Sequence, residues 1–315
     1  MIAQRRSLAP RRALSSAPPP PESTHFGSAT VPAADKARMV AEVFHKVAAS
    51  YDDMNDAMSG GLHRLWKDEF VRMSGPALAS DGAGAAQATV LLDVAGGTGD
   101  VAFRLYDGLR RALVRAPPPG VARPSVIVCD INNSMLAVGE SRARNRGYDC
   151  EPFAAQGAPS PGAPSLGAAA AQGSSARPVL RWQQGDAERL EFLADNSVDL
   201  YTIAFGIRNV TRVDAALREA HRVLRPGGRF MCLEFSKVSN PLLARVYDAY
   251  SFGAIPLMGE LVAGDRASYQ YLVESIRRFP AQEDFADMIE HAGFSNVSFK
   301  NLTFGVCAVH SGFKF

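Results

Sequence analysis

Three acids and one arginine, each close behind or within an apolar run, are the residues of this chain best placed for chemistry: Asp93, Asp130, Asp186 and Arg208. Asp93 lies in Val90-Leu-Leu-Asp-Val-Ala-Gly-Gly-Thr-Gly-Asp-Val-Ala102, where an apolar run gives way to Gly96, Gly97 and Gly99. A strand that breaks into glycines and feeds a helix brings bare backbone close to a ligand. The spacing is not the G-x-G-x-x-G of a dinucleotide site, and an acid at the strand end repels a pyrophosphate and attracts a cation. S-adenosylmethionine is the common nucleoside cofactor with a permanent positive charge, so this segment points to methyl transfer; a strand-turn-helix without a ligand is the plain alternative. Asp130, closing Ser125-Val-Ile-Val-Cys-Asp130, can accept both hydroxyls of a ribose. It follows Gly99 by 31 residues, against ~20 in the dinucleotide fingerprint, and the loop 117–124 takes up the excess. Asp186 offers a short acceptor to the exocyclic amine of adenine, with Ala187 leaving room for the ring. The competing structural roles are a helix N-cap for Asp130, a turn for Asp186 and a salt bridge for Arg208.

These residues need a frame, and the periodicity supplies one. Apolar runs at 90–94, 125–130, 179–184, 197–205 and 229–235 read as strands, and amphipathic stretches at 35–50, 63–73, 100–114, 134–146 and 213–224 read as helices. The last of these is stopped by Arg225-Pro-Gly-Gly228. Residues 240–279 are apolar and helical in pattern, 282–291 is a helix ended by Gly293, and 296–302 with 305–313 makes a terminal hairpin. Strands alternating with helices predict an α/β fold, a mostly parallel sheet with right-handed crossovers. The hairpin adds an antiparallel strand. Ligands of such sheets sit beyond the carboxyl ends of the strands, where the named acids lie.

The chain has 315 residues, 47% hydrophobic and 21% charged, enough for a sizeable core. A net charge of +2 gives no broad electrostatic reason to expect nucleic acid. The six histidines are scattered and the four cysteines form no C-x-x-C, so no metal site is expected. Cys129, Cys232 and Cys307 lie in strand-like runs and read as buried thiols. The first acid is Glu22; before it stand Arg5, Arg6, Arg11 and Arg12 among serines and prolines, the composition of an organelle transit peptide. Residues 1–35 are therefore set apart from a domain at 36–315, with a mitochondrial address expected and a plastid or an uncleaved basic tail as alternatives. No stretch approaches the ~20 apolar residues of a membrane span. Residues 154–177, almost wholly Ala, Gly, Ser, Pro and Gln, read as a disordered insertion.

Taken together, Tyr51-Asp-Asp-Met-Asn-Asp56, Leu92-Asp-Val-Ala-Gly-Gly-Thr-Gly-Asp100, Asp130-Ile-Asn132, Gly185-Asp-Ala187, Phe205-Gly-Ile-Arg-Asn-Val210, Leu224-Arg-Pro-Gly-Gly228 and Leu233-Glu-Phe-Ser236 closely resemble the C-methyltransferases of ubiquinone and menaquinone biosynthesis. The glycine segment and Leu-Arg-Pro-Gly-Gly are shared by many methyltransferases; Phe-Gly-Ile-Arg-Asn and Tyr-Asp-x-Met-Asn are much more specific. The resemblance implies a class I S-adenosylmethionine-dependent methyltransferase, Rossmann-like, with a seven-stranded sheet and cofactor contacts at Gly97, Thr98, Asp130, Asp186 and Ala187. With the arginine-rich start, it implies C-methylation of 2-methoxy-6-polyprenyl-1,4-benzoquinol on the matrix side of the mitochondrial inner membrane. The implied partners are that quinol, a multi-subunit ubiquinone-biosynthesis complex, the membrane surface as a peripheral contact and, as an open alternative, a second copy of the chain. Rival readings are a demethylmenaquinol or naphthoquinol C-methyltransferase, a non-catalytic scaffold subunit and a nicotinamide-binding oxidoreductase.

Ring carbon is a poor nucleophile until a neighbouring hydroxyl loses its proton, so the site must deprotonate that hydroxyl and hold the anion. It must also align carbon and methyl at about 3–3.5 Å. Arg208 is expected to stabilise the phenolate or polarise a water; a guanidinium cannot be the base. Asn209 is expected to hold that water or a substrate oxygen. Glu234 is a base candidate on position alone, Tyr51 and Asp52 belong to a segment expected to close over the site, and Leu242, Val246, Tyr250, Ile255 and Leu257 offer a wall for a polyprenyl tail, packing between helices being an equal reading.

Overall fold

The computed structural model describes residues 23–47, 55–56, 58–75, 89–112, 123–153, 177–263 and 266–315. In chain order the strands are β1 (Ser23–Phe26), β2 (Ala29–Pro32), β3 (Val90–Val94), β4 (Ser125–Asp130), β5 (Val179–Gln184), β6 (Val198–Ala204), β7 (Leu224–Phe235), β8 (Ser295–Leu302) and β9 (Cys307–Phe313). The principal helices are α1 (Ala33–Val47), α2 (Leu62–Met73), α3 (Asp100–Ala112), α4 (Asn133–Asn145), α5 (Val213–Val223), α6 (Pro241–Ala263), α7 (Arg266–Arg278) and α8 (Gln282–His291).

Seven strands form one sheet in the order β5-β4-β3-β6-β7-β9-β8. The contacts β3–β4, β3–β6, β4–β5 and β6–β7 are parallel, and β9 runs antiparallel to both neighbours. This is the predicted class I methyltransferase architecture. The chain leaves β3 for β4 on one side and returns to β6 on the other, so the switch point lies at the carboxyl end of β3. β3 is buried along its whole length because helices cover both faces of the sheet. Its residues alternate between two cores. Val90, Leu92 and Val94 join Ala216, Leu217 and Ala220 of α5 and Phe285 and Ile289 of α8. Leu91 joins Trp66 and Phe70 of α2, Leu105 and Leu109 of α3, and Leu136 of α4. The three cysteines expected to be buried thiols are buried and free.

Two features depart from the expected pattern. The fifth sheet strand begins at Leu224 rather than 229: Leu224 already pairs with Val198, and a register shift carries the chain to the Leu200–Arg229 pair. Residues 23–32, set aside with the basic start, form an antiparallel hairpin. It docks on α7, where Phe26 stacks on Tyr271 with ring centroids 4.2 Å apart and the Ser28 N–H donates to Glu274 at 2.6 Å. The arginines before residue 22, Tyr51 and Asp52, and 154–176 of the low-complexity insertion lie outside the described residues.

Candidate active site

Two cavities adjoin at the carboxyl ends of β3, β4 and β6, and Lys67 and Phe205 line both. The first encloses about 1170 Å³ including its open mouth and is lined by Asp93, Gly97, Thr98, Asp130, Asp186, Ala187 and Asn209 among others. The second, about 990 Å³ on the same measure, is lined by His63, Trp66, Arg208, Phe235, Tyr247, Tyr250 and Tyr271 among others. The geometry thus brings all five expected cofactor residues to one cavity, with Asn209, and places Arg208 on its neighbour.

The floor of the first cavity is set by the turn after β3. Gly97 has φ +52°, a left-handed conformation that costs glycine little. In it the Gly97 N–H donates to Asp130 Oδ2 at 2.9 Å. Gly99 has φ +85°, and a Cβ there would stand 2.7 Å from the Trp182 ring. Asp130 Oδ1 accepts from the Asn132 N–H at 2.8 Å. The N-cap of α4 is Asn132, whose side chain accepts from Ser134 and Met135, so capping does not occupy Asp130. A carboxylate can accept about four hydrogen bonds, so Asp130 keeps acceptor capacity for a ligand beyond the N–H donors of Gly97, Ile131 and Asn132. Burial pushes its carboxyl up, against the N–H donors around it. Asp186 accepts from the Glu188 N–H at 2.9 Å, so it shapes a turn and lines the cavity at once. α1 covers part of this cavity through Ala37 and Val40, and Lys36 is anchored to the Val210 carbonyl at 2.8 Å.

Asp93 is the test of what this cavity suits. Its side chain is buried, Oδ1 accepts from the Thr202 hydroxyl at 2.8 Å, and Oδ2 has no partner among the described residues. Burial pushes it up to about 7. A buried carboxylate oxygen without a donor is costly, and a ligand cation would relieve that cost. The acids on the wall and the bare backbone of the glycine turn therefore fit a cationic nucleoside. Nearby, Lys67 donates to Asp100 Oδ2 at 2.7 Å. Although burial opposes it, Lys67 and Arg104 hold Asp100 at about 2.

Arg208 sits in the short 3-10 turn Ile207–Asn209 that follows β6. Its side chain is 4% exposed, and Nη1 donates to Glu234 Oε1 at 2.9 Å and to the Phe205 carbonyl. The guanidinium lies 5.5 Å from the Phe235 ring centroid. The salt bridge considered as its competing role is thus real. Yet Nε has no partner among the described residues, leaving a donor on a residue that lines the second cavity. Glu234 accepts from Arg208 and from the Phe235 N–H and lines neither cavity, which removes the positional argument for it as base. Asn209 Oδ1 accepts from the Tyr271 hydroxyl at 2.9 Å, tying a residue of the first cavity to one of the second.

The apolar wall departs from expectation. Of the α6 residues named for it, Tyr250 and Ile255 line the second cavity, whereas Leu242 is 70% exposed, Val246 63% and Leu257 49%. The aromatic lining comes instead from Trp66, Phe205, Phe235, Tyr247, Tyr269 and Tyr271. His63 and Lys67 were not among the expected site residues. They stand one turn apart on α2, and in sequence that spacing reads as an ordinary polar helix face.

A family model described as the ubiE/COQ5 methyltransferase family matches residues 32–158 and 166–314. Among similar proteins, the mitochondrial 2-methoxy-6-polyprenyl-1,4-benzoquinol methylase of Dictyostelium discoideum is 47% identical over 93% of this chain and 87% of its own length. Its counterparts in Homo sapiens and Arabidopsis thaliana are 47% and 49% identical, over 92% and 93% of this chain and 84% and 90% of theirs.

Proposed function

The chain belongs to the ubiE/COQ5 methyltransferase family, an S-adenosylmethionine-dependent methyltransferase, and on that premise we propose that it methylates a ring carbon of 2-methoxy-6-polyprenyl-1,4-benzoquinol in ubiquinone synthesis. The observation that carries the reading is the pair of adjoining cavities: one walled by Asp93, Asp130 and Asp186, the other by aromatic rings and Arg208, with Lys67 and Phe205 between them. S-adenosylmethionine supplies an electrophilic methyl group. Asp130 and Asp186 hold its nucleoside, with Gly97, Thr98 and Ala187 shaping the floor and the adenine slot. Asp93 complements the positive charge. In the second cavity the rings sandwich a flat quinol, and Arg208 Nε donates to the oxygen on which charge develops, the preorganised stabilisation such a transfer needs. Asn209, held by Tyr271, orients a water or a substrate oxygen at the junction.

The reading extends to place: a mitochondrial protein, peripheral on the matrix side of the inner membrane and working with the other enzymes of the pathway. It is supported by the mitochondrial naming of the relatives, by the apolar residues exposed on α6 and, for the multi-enzyme assembly, by the sequence resemblance alone. Among the described residues no helix is long and apolar enough to cross a membrane.

The test is methyl transfer by the full chain from labelled S-adenosylmethionine to a short-chain 2-methoxy-6-prenyl-1,4-benzoquinol and, separately, to a demethylnaphthoquinol. Label on the benzoquinol ring carbon is the expected result. Label on the naphthoquinol alone moves the chain to the menaquinone branch.

A further inference from the structure

The quinol hydroxyl needs a base, and neither Arg208 nor Glu234 supplies one. We propose that His63, on α2 at the wall of the second cavity, is the general base that takes the hydroxyl proton of the ring through Nε2; this rests on the function proposed above.

Hydrogen bonding around the ring fixes which nitrogen is free. Ser59 Oγ lies 2.6 Å from the Asn55 carbonyl, which can only accept, so the Ser59 hydroxyl hydrogen is committed there. Oγ also lies 2.9 Å from His63 Nδ1, and with its own hydrogen used it must accept from Nδ1–H. The lone pair of the neutral ring is then on Nε2, which has no hydrogen-bond partner among the described residues. His63 is 7% exposed and lines the cavity that also holds Arg208. An imidazole held in one tautomer by a neighbour, with its other nitrogen unpaired among the described residues and its side chain on a cavity wall, is the arrangement of a working base.

The charges about the ring suit both of its states. Asp56 Oδ1, in the short helical stretch before α2, stands 3.6 Å from Nδ1, where it stabilises the imidazolium that forms. Asp56 is itself paired with Arg64 of α2. Lys67, one turn along α2, and Arg64, to a lesser degree, oppose that charge, while Asp100 of α3 favours it. The same cavity is lined by Arg208 of the 3-10 turn, Tyr247 and Tyr250 of α6, and Tyr269 and Tyr271 of α7. Burial first, and Lys67 second, push the His63 ring below its ordinary value, so it is neutral and ready to accept at neutral pH.

The proton balance closes. The O–H bond breaks and Nε2 gains the proton; the electron pair left on oxygen is delocalised onto the ortho carbon, which would bond the methyl group as the methyl–sulfur bond breaks and its pair stays on the departing sulfur. After transfer that carbon gives its ring proton to solvent, and the imidazolium returns its own to the oxygen. One proton is released per turnover and His63 is regenerated.

His63→Asn separates a base from a merely structural histidine, because asparagine keeps an N–H donor toward Ser59 and has no basic nitrogen. We expect kcat to fall by about 10²- to 10⁴-fold, with S-adenosylmethionine affinity by calorimetry within about twofold of wild type. Wild-type kcat/KM rises with pH to a plateau through a break below the ordinary histidine range; in His63→Asn that break disappears. Added imidazole restores part of the activity of His63→Ala. His63→Asn turning over within a few-fold of wild type with the break retained overturns the base assignment alone. Cofactor affinity lost together with activity gives His63 a structural role and also overturns it. Wild-type protein that binds S-adenosylmethionine yet methylates neither quinol overturns the function proposed above, and the base with it.

Discussion

Arg208 carries two duties that a single substitution would confuse. Removing it deletes an unpaired buried Nε donor on a residue of the second cavity and also strands Glu234, which is buried and relies on Arg208 for its charged form. Breaking one side of a buried pair costs about 3–5 kcal/mol. Arg208→Ala is therefore expected to lose most methyl transfer and also unfold at markedly lower urea. Arg208→Ala with Glu234→Gln should regain much of the stability and none of the turnover; recovery of activity in the double variant would remove Arg208 from the chemistry. Asp93 offers a second test at this scale. Its folded value, raised by burial to about 7, stands above its ordinary 3.8. The folded state therefore keeps a proton that the unfolded chain gives up. The stability this confers is complete below about pH 4 and is lost as pH rises through 7, by at most about 1.4 kcal/mol per unit. Asp93→Asn removes the dependence, so denaturation midpoints of variant minus wild type should climb between pH 4 and 7. A flat difference would mean that Asp93 is already ionised in the folded protein.

At the scale of elements, two glycine-to-alanine changes in helices should have opposite signs. On α4, a Cβ at Gly139 would stand 2.5 Å from the Trp182 ring and 3.0 Å from the Thr98 backbone. Overpacking of about 1–3 kcal/mol outweighs the helix gain of about 1 kcal/mol, and the strain falls on the cofactor turn. Gly139→Ala should thus lower stability and weaken S-adenosylmethionine binding. On α6, a Cβ at Gly253 meets nothing within 4 Å, so Gly253→Ala should stabilise by about 0.5–1 kcal/mol. Urea denaturation of both checks the pair, and equal shifts would discard the packing argument. These contrasts also mark what was legible in sequence. Strands buried on both faces are continuous apolar runs, and a parallel sheet puts functional residues at their ends, so Asp93, Asp130, Asp186 and Arg208 could be found by position. His63 could not: its significance depends on Ser59 fixing its tautomer and on α6 and α7 closing a cavity opposite it, neither of which leaves a spacing. The β1–β2 hairpin was hidden by following a serine- and proline-rich start, and its contacts with Tyr271 and Glu274 of α7 make it part of the fold. The outward face of α6 was illegible because the helix is apolar nearly all round.

For the whole molecule, α6 is a wall with two sides. Tyr247, Tyr250 and Ile255 face the second cavity, while Leu242, Val246 and Leu257, at helical spacing, are exposed. The proposed substrate carries an apolar tail that water excludes and a ring that must reach Arg208, so on the function proposed above the protein meets its substrate at a bilayer surface or receives it from a partner protein, and the first of these can be tested on α6. An exposed apolar stripe on the helix that walls the cavity would let it dock without spanning, since burial of each large aliphatic side chain in lipid contributes about 1.5–3 kcal/mol. Leu242→Ser with Val246→Ser should therefore reduce recovery of the protein with floating vesicles by tenfold or more. Neither residue lines either of the two cavities described, so turnover of a soluble short-tailed quinol should stay within about twofold of wild type. Turnover of a long-tailed quinol embedded in vesicles should fall with the docking. That split, soluble activity kept and membrane activity lost, is what a docking face predicts. Unchanged flotation would mean that the stripe serves another contact, and equal loss on both substrates would mean that it supports the fold.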